Sequence, residues 1–211
     1  MPISPDVSWQ PSLFESAIEP AIDESFAALK HVQLDPTSWV QHVPGWLQGS
    51  EQLFAELLDT RDWGQRTRRI YDEKHLEPRL TSSWRLSSGE PLQPPILEQV
   101  RGVLSDRYDI EFDSVGFNLY RTGQDSVAWH GDHIPKSVVD PLVAILSVGE
   151  PRKFLLRPKL GGPSKSFFLG RGDLLVTGGA CQRAWQHAVP KVAKAGPRIS
   201  ITYRHGMEKY D

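Results

Sequence analysis

The hydrophobic pattern of the chain changes its period near Phe112, and this change constrains the fold more than any other feature. Beyond it, apolar and polar residues alternate in short runs, as in strands with one buried face. The runs predict strands near 114–121, 126–131, 141–148, 152–157, 164–169, 172–178, 183–189 and 197–205. Glycine and proline separate these runs, and no helical pattern intervenes. So many short strands in succession predict a jelly roll or a barrel.

The first 110 residues carry helical and loop patterns instead. Three helices are predicted: one within 17–29, one with Ser50 as its N-cap, and one after Pro94 and Pro95. Apolar residues recur at helical spacing in the second and third helices: Leu53, Phe54, Leu57, Leu58, and Ile96, Val100, Val103, Leu104. The predicted fold class is α+β in a single domain. An N-terminal extension with helices and loops (1–110) packs on a two-sheet β core (111–208).

Composition excludes some classes of protein and leaves others open. The net charge of −2 and the pI of about 6.4 give no overall attraction to nucleic acid, so such a partner would need a local basic patch. The single cysteine, Cys181, excludes an intramolecular disulfide and fits a reducing compartment. The N-terminus lacks the pattern of a signal peptide, and no stretch approaches the roughly 18 apolar residues of a membrane span. These observations predict a cytoplasmic protein with no membrane segment.

The stretch NLYRTGQDSVAWHGDHIP, from Asn118 to Pro135, contains a histidine and an aspartate two residues apart. On a strand, His130 and Asp132 point to the same side of the backbone. Two histidines and one carboxylate on one face commonly hold a ferrous ion with open coordination positions. His187, in the predicted strand AWQHAV, supplies the third candidate ligand. The alternatives remain open: two polar loop residues at the first pair, and an ordinary interior histidine at His187.

The last predicted strand, PRISITYR, carries polar side chains on one face: Arg198, Ser200, Thr202 and Arg204. Burying two arginines is costly unless an anion meets them, and a guanidinium group matches a carboxylate. Asn118 and Tyr120 share one face of an earlier strand in the same way. Beside a metal, such a pocket suits a small dicarboxylate that chelates the ion. The alternative is an edge strand with ordinary charges in solvent.

Taken in order, these segments resemble the AlkB-like family of iron(II)- and 2-oxoglutarate-dependent dioxygenases. NLYRTGQDSVAWHGD is similar to the segment with the first two iron ligands of that family. GDLLVTGGACQRAWQHAVPK and PRISITYR resemble the segments with the distal histidine and the two co-substrate arginines. PRLT, at 78–81, resembles the strand before the nucleotide-recognition lid. The similarity covers 69–204, about two-thirds of the chain.

The resemblance implies a role for each matching residue. Iron(II) would be held by His130, Asp132 and His187, which are also the catalytic residues. 2-Oxoglutarate would be held by Asn118, Tyr120, Arg198, Ser200 and Arg204, with Arg198 at the distal carboxylate and Arg204 near the chelating end. The implied reaction consumes O2 and 2-oxoglutarate and hydroxylates an N-alkyl group on a damaged base. The product then loses an aldehyde and leaves the repaired base. The family also implies a monomer.

Three positions depart from the family pattern. Ile134 stands where an acidic residue commonly helps to read the damaged base, which puts selectivity for a cationic base in question. Ser200 replaces an asparagine, although its hydroxyl can still donate a hydrogen bond to 2-oxoglutarate. After PRLTSSW the chain continues RLSSGEPLQPP, without an aromatic hairpin, so the predicted lid is short. Trp84 is a candidate lid residue. Trp129 is expected to face away from the iron and to pack in the core.

The predicted substrate is alkylated DNA or RNA, with a single strand favoured. Ile134 and Trp84 are candidate substrate-binding residues. A basic and aromatic cluster supplies further candidates: Arg66, Arg68, Arg69 and Tyr71. The same cluster also fits a solvated charged loop. The alternative function is a 2-oxoglutarate-dependent hydroxylase or demethylase of a protein or small molecule, which Ile134 and the short lid favour. A jelly-roll binding module without metal is a third possibility, against which the intact candidate ligands argue.

Overall fold

The structure, a computed structural model, describes residues 5–7, 9, 18–70, 73–132 and 134–208. The side chains of 68–70 and 73–75 lie outside the described part. Within it, the strands are β1 (Ala21–Ile22), β2 (Lys30–Asp35), β3 (Ser38–Val43), β4 (Leu47–Gln48), β5 (Thr67–Ile70), β6 (Glu73–Leu76), β7 (Leu80–Arg85), β8 (Phe112–Tyr120), β9 (Val127–His130), β10 (Val143–Gly149), β11 (Arg152–Pro158), β12 (Lys165–Leu169), β13 (Asp173–Gly179), β14 (Trp185–Val189) and β15 (Arg198–His205). The helices are α1 (Ser50–Thr60), α2 (Pro95–Tyr108) and α3 (Cys181–Ala184), with a 3₁₀ turn at Leu86–Ser88.

Two antiparallel sheets face each other and form the jelly roll. The larger sheet has the strand order β2-β3-β13-β10-β15-β8-β7, and the smaller has the order β12-β11-β14-β9. Each of the eight strands predicted beyond Phe112 is present, as β8 to β15. The main difference is at 183–189, where the helical turn α3 occupies 181–184 and the strand begins at Trp185. The α+β jelly roll predicted from the alternating pattern is confirmed.

The two long helices pack in the apolar core that includes one face of the larger sheet. In α1, Leu53, Phe54 and Leu57 are buried at helical spacing. The predicted N-cap of this helix was wrong. Gly49 takes that place with φ +62°, and a Cβ there would lie 2.4 Å from the Ile18 carbonyl oxygen, so glycine is required. Ser50 is the first helical residue.

The third predicted helix is present as α2, with Pro95 in its first turn. Its buried side chains are Leu97, Val100 and Leu104, whereas Ile96 and Val103 are partly buried. The buried stripe therefore begins at Leu97 and not at the predicted Ile96, and Val103 lies at its margin. Proline suits the first turn of a helix because its missing N–H has no partner there in any case.

The N-terminal extension contributes more strand than the sequence patterns predicted. Residues 18–29 contain β1 and turns, not the predicted helix. The hairpin of β2 and β3 extends the larger sheet beyond β13, and β7 forms the opposite edge beside β8. The jelly roll therefore includes strands from both halves of the chain. No helix in the described residues is long and apolar enough to cross a membrane.

A second apolar core lies between the two sheets. It contains the inward side chains of β10, β11 and β14, together with Tyr120 at the end of β8. The polar face of β15 points into the same space, whereas Ile199, Ile201 and Tyr203 point to the helix-side core. This inter-sheet space is where all eight predicted metal and 2-oxoglutarate residues meet.

Candidate active site

One cavity between the sheets brings together all the residues predicted for metal and co-substrate. They line it in the order Asn118, Tyr120, His130, Asp132, His187, Arg198, Ser200 and Arg204. The other lining residues include Arg79, Thr202 and an apolar set formed by Val127, Ile145, Phe154 and Val189. These eight residues lie up to 86 positions apart in the sequence, and the fold brings them to one small cavity.

Strand register places the two histidines opposite each other. β9 and β14 are antiparallel neighbours, and His130 and His187 are direct partners across them. Their ring centroids lie 4.2 Å apart. Phe154 stacks against His187 at 5.3 Å from the other side. Paired residues of adjacent strands point to the same face, so both imidazoles face the cavity.

Hydrogen bonding sets the tautomer of His130. Its Nδ1 lies 2.9 Å from the Ala128 carbonyl oxygen, which can only accept, so Nδ1 carries the proton. In the neutral ring, Nε2 then holds the lone pair that a metal ion would use. A carbonyl partner on the other ring nitrogen is the usual support of a metal-binding histidine.

His187 and Asp132 are both held in their deprotonated forms. Burial lowers the pKa of the His187 imidazole to about 4, although the charge of Asp132 opposes this shift. Burial is the largest influence and alone would raise the pKa of the Asp132 carboxyl, but the charge and hydrogen bonds of Arg204, together with the neighbouring His187 and His130, outweigh it and hold that pKa at about 2. A neutral imidazole and an ionised carboxylate are the forms that bind a metal ion. The donor set therefore fits Fe(II) in its chemistry.

The Asp132 carboxylate is paired with Arg204. Arg204 Nη2 donates to Asp132 Oδ1 at 2.7 Å, and Nε lies 3.2 Å from the same oxygen. Within the described residues, no three His, Cys, Asp or Glu side chains already have the arrangement of a formed metal site. Gly116, on the neighbouring β8, leaves room for this arginine, since a Cβ there would lie 3.1 Å from its Nη1.

Arg198 is fully buried and lines the cavity. β15 lies between β10 and β8, so the edge-strand alternative is excluded. Nε donates to the Leu169 carbonyl oxygen at 2.9 Å and Nη2 donates to Ser147 Oγ at 2.6 Å. Nη1 is buried without a hydrogen-bond partner among the described residues. An unpaired buried guanidinium nitrogen beside an open cavity fits a carboxylate of 2-oxoglutarate.

A second, larger cavity adjoins the first. The two share Arg79, Asn118, His130, Asp132 and Arg204 as wall residues. The rest of the second wall is rich in hydroxyl and guanidinium groups: Arg66, Thr81, Ser82, Ser83, Arg85 and Ser114. A molecule in this cavity would therefore face the His130 and Asp132 side chains directly.

Of the predicted substrate residues whose side chains the structure describes, one lines a cavity and two do not. Arg66 lines the second cavity. The side chains of Arg68 and Arg69, and the whole of Tyr71, lie outside the described residues. Trp84 is buried in the helix-side core, where its Nε1 donates to the Glu90 carbonyl oxygen at 2.8 Å, and it lines neither cavity. Ile134 is buried in the inter-sheet core and also lines neither cavity.

Arg79 is a wall residue of both cavities that the sequence analysis did not single out. Its Nε donates to Asn118 Oδ1 at 2.9 Å, and its Nη2 lies 3.3 Å from Glu77. It belongs to the PRLT stretch, so the resemblance contained a signal for it. Phe154 was also missed. Thr202 was predicted to lie on the polar face of the last strand with Ser200 and Arg204, but it was not assigned to the site.

Comparisons with known proteins identify the family to which the chain belongs. A profile of the 2OG-Fe(II) oxygenase superfamily matches residues 71–204. The chain is 31% identical to the alpha-ketoglutarate-dependent dioxygenase alkB homolog 3 of Bos taurus, over 89% of this chain and 73% of that protein. It is also 31% identical to the DNA oxidative demethylase ALKBH2 of Arabidopsis thaliana, over 72% of this chain and 60% of that protein. The structure of OsALKBH1 superposes with a TM-score of 0.59 at 16% identity, over 83% of this chain and 99% of that one, which supports the fold.

The chain therefore belongs to the 2OG-Fe(II) oxygenase superfamily. Within that superfamily it is an AlkB-like oxygenase, as its similarity to alkB homolog 3 and ALKBH2 shows. The resemblance inferred from the sequence motifs is confirmed. The protein is a 2-oxoglutarate-dependent dioxygenase whose cofactor is Fe(II) and whose co-substrates are 2-oxoglutarate and O2.

Proposed function

We propose that this protein removes N-alkyl groups from damaged bases in DNA or RNA by oxidation. One observation carries the proposal: the second cavity opens on the His130 and Asp132 side chains, and four arginines and four hydroxyl side chains line its wall, where Glu77 is the acidic residue besides Asp132. Guanidinium and hydroxyl donors are the groups that commonly contact a phosphate backbone. The names of the similar proteins support the same substrate class, since ALKBH2 of Arabidopsis thaliana is a DNA oxidative demethylase.

The residue roles follow from the first cavity. We assign His130, Asp132 and His187 as the Fe(II) ligands. Asn118, Tyr120, Arg198, Ser200 and Arg204 would bind 2-oxoglutarate, with Arg198 at the distal carboxylate. Bound iron supplies the O2 activation that side chains alone cannot perform. Arg204 positions Asp132 through its hydrogen bonds and stands near the chelating end of the co-substrate.

The protein itself aims the reaction and keeps water out. Val127, Ile145, Phe154 and Val189 give the first cavity an apolar wall, and Phe154 fixes the ring of His187. O2 and 2-oxoglutarate are converted to succinate and carbon dioxide, and one C–H bond of the N-alkyl group becomes C–OH. The C–N bond then breaks, its electron pair stays with the base nitrogen, and the carbon leaves as an aldehyde as the hydroxyl group gives up its proton.

The base must leave its stack to enter the cavity, and this costs least in a single strand. We therefore propose a single-stranded substrate that is preferred over a duplex, with Arg66, Arg79 and Arg85 near its phosphates. We further propose that the chain acts as a monomer and as one domain. The cytoplasmic location expected from the sequence remains a prediction.

A direct test uses single-stranded DNA with 1-methyladenine or 3-methylcytosine, and the matching RNA. The protein is incubated with Fe(II), 2-oxoglutarate and air, and the strand is weighed by mass spectrometry. Each extruded and repaired base should lose about 14 mass units, one methylene. A His130→Ala protein is the blank. Succinate formed without any loss of mass from DNA or RNA would contradict a nucleic-acid substrate.

A second candidate is hydroxylation or demethylation of a protein or small molecule. Two features favour it. Ile134 lies in the inter-sheet core and brings no charge to the substrate cavity. Among the described residues of the second cavity wall, the aromatic side chain besides His130 is Phe117, which is 1% exposed and offers no stacking surface. Methylated peptides belong in the same assay, because their oxidation in place of the bases would select this function.

A further inference from the structure

The charges of the chain are divided unevenly along its length. The whole sequence has 24 basic and 26 acidic residues. From Pro151 to Met207, eleven lysines and arginines face a single acidic residue, Asp173. The near-neutral total therefore hides a basic C-terminal third, which contains three of the four strands of the smaller sheet. A local basic surface is what a nucleic-acid partner requires of a chain with this net charge.

The outer face of the smaller sheet presents this charge together with aromatic rings. We call it the outer face and define it by Trp129, Lys153, Leu155, Arg157, Gln186 and Phe168. Register supports the assignment, since Lys153 pairs with Phe168 and Arg157 pairs with Gln186. The alternate residues of β11, Phe154 and Leu156, are buried in the inter-sheet core. No Asp or Glu occurs in β9, β11, β12 or β14.

Each cation on the outer face stands over an aromatic ring. The Arg157 guanidinium carbon is 4.2 Å from the centre of the Trp129 ring, and Lys153 Nζ is 5.7 Å from the centre of the Phe168 ring. Phe168 is 59% exposed, which is unusual for a ring in a sheet with a well-filled core. Trp129 faces away from the cavity as expected, but it is half-buried on this surface and not packed in the core.

We infer that the outer face binds the single-stranded flank of the nucleic acid whose modified base occupies the cavity. Single-stranded nucleic acids bind to surfaces that combine cations for the phosphates with aromatic rings for the bases. The outer face has both, at two separate points across the sheet. This inference rests on the proposed nucleic-acid function, which it extends from one base to the neighbouring nucleotides.

The path between the two surfaces is short. β9 is the edge strand of the smaller sheet, and its last residue, His130, lines the cavity. Trp129, one position earlier, lies on the outer face, and Gly131, one position later, lines the second cavity. A strand that leaves the second cavity over this edge meets Trp129 and Arg157 first. β12, with Phe168, is about 14 Å further on, at three strand spacings.

The test compares two substrates and a set of matched variants. A trinucleotide with a central methylated base fills the cavity and cannot reach across the outer face, whereas a longer oligonucleotide can. Lys153→Gln, Arg157→Gln and their double variant each remove charge from the outer face. Lys30→Gln removes the same charge from the exposed β2 of the other sheet and is the control. Trp129→Ala and Trp129→Phe separate stacking from charge.

For the longer strand, the dependence of log affinity on log salt should flatten by about 1.4 in the double variant, because each lost phosphate contact removes about 0.7. Trp129→Ala should weaken binding at least about fivefold, and Trp129→Phe should restore most of it. Turnover of the trinucleotide should not change in any of these variants. DNA and RNA of the same sequence are both titrated, and polyglutamate is added as a competitor.

Several results would overturn the inference. They are an unchanged salt slope, an equal loss in Lys30→Gln, an equal loss with the trinucleotide, or displacement by polyglutamate at the same charge concentration. The last result would indicate a general anion patch. Binding is measured on unmodified strands, so it does not depend on turnover. Flank binding without base dealkylation would contradict the proposed function alone, and dealkylation without flank binding would contradict this inference alone.

Discussion

Replacing His187 by alanine should reduce 2-oxoglutarate turnover by more than about 100-fold. His187 is a half-buried, neutral imidazole directly opposite His130, and its loss removes one of three candidate ligands. Changes to groups that merely support a metal ligand cost about 10- to 100-fold in affinity or activity, so loss of a ligand should cost more. The measurement is succinate formed per minute at saturating Fe(II), together with the bound iron per chain.

The matched control is His31→Ala. His31 is an exposed histidine of β2 whose ring contacts Gln33, and it lines neither cavity. It should keep full turnover and full iron content. If His187→Ala binds iron and turns over 2-oxoglutarate like the unchanged protein, while the melting temperatures agree, the assignment of His187 as a ligand is wrong.

Replacing Arg198 by methionine should raise the KM for 2-oxoglutarate by roughly 10- to 100-fold. A hydrogen bond to a charged group contributes about 1.5–3 kcal/mol, and 1.4 kcal/mol is a factor of ten. Burial lowers the pKa of the Arg198 guanidinium to about 10, so the group is still charged at neutral pH and can meet a carboxylate. The expected signature is a change in KM for 2-oxoglutarate with little change in KM for the oligonucleotide.

Arg198 also supports the fold, so this variant needs two companions. Methionine leaves the Leu169 carbonyl oxygen and Ser147 Oγ without their donor. Arg198→Lys keeps the charge and should recover part of the affinity. Arg171→Met, at an exposed arginine beside Glu150, controls for loss of charge alone. An unchanged KM in a folded Arg198→Met protein would remove this residue from the co-substrate site.

Much of this architecture can be predicted from sequence because its strands alternate clearly. The face that holds Arg198, Ser200 and Arg204 follows from the period of two. That Arg198 is buried does not follow, because burial depends on β10 and β8, which flank β15 and lie far apart in the chain. The sequence permitted an edge strand at this point, and the structure excludes it.

Long-range pairing also explains the remaining misses. Apolar and polar residues alternate only weakly in β3, and this strand is stabilised by its pairing with β13, over a hundred residues away in the sequence. Gly49 acts as the N-cap of α1 because the backbone of Ile18 and Glu19 leaves no room for a side chain, a contact that local pattern cannot reveal. Trp84 is an aromatic residue of the kind expected in a lid, but the register of β7 against β8 places its ring in the core.

Arg79 is the clearest case of a residue whose importance needs the structure. In the sequence it is one arginine within a basic segment. In the fold Arg79 lines both cavities, and its Nε donates a hydrogen bond to Asn118 Oδ1 at 2.9 Å. The distribution of charge also becomes clear only in the structure, because a nearly neutral total conceals a basic outer face on the smaller sheet.

The central claim is that one cavity holds Fe(II) and 2-oxoglutarate together, and an anaerobic titration tests it most directly. Fe(II) is added first, then 2-oxoglutarate, and the visible absorption of the chelated ion is recorded. We expect a charge-transfer band that needs both additions, is absent in His187→Ala, and requires much more 2-oxoglutarate in Arg198→Met. A band of unchanged strength in both variants, or no band in the unchanged protein with iron bound, would contradict it.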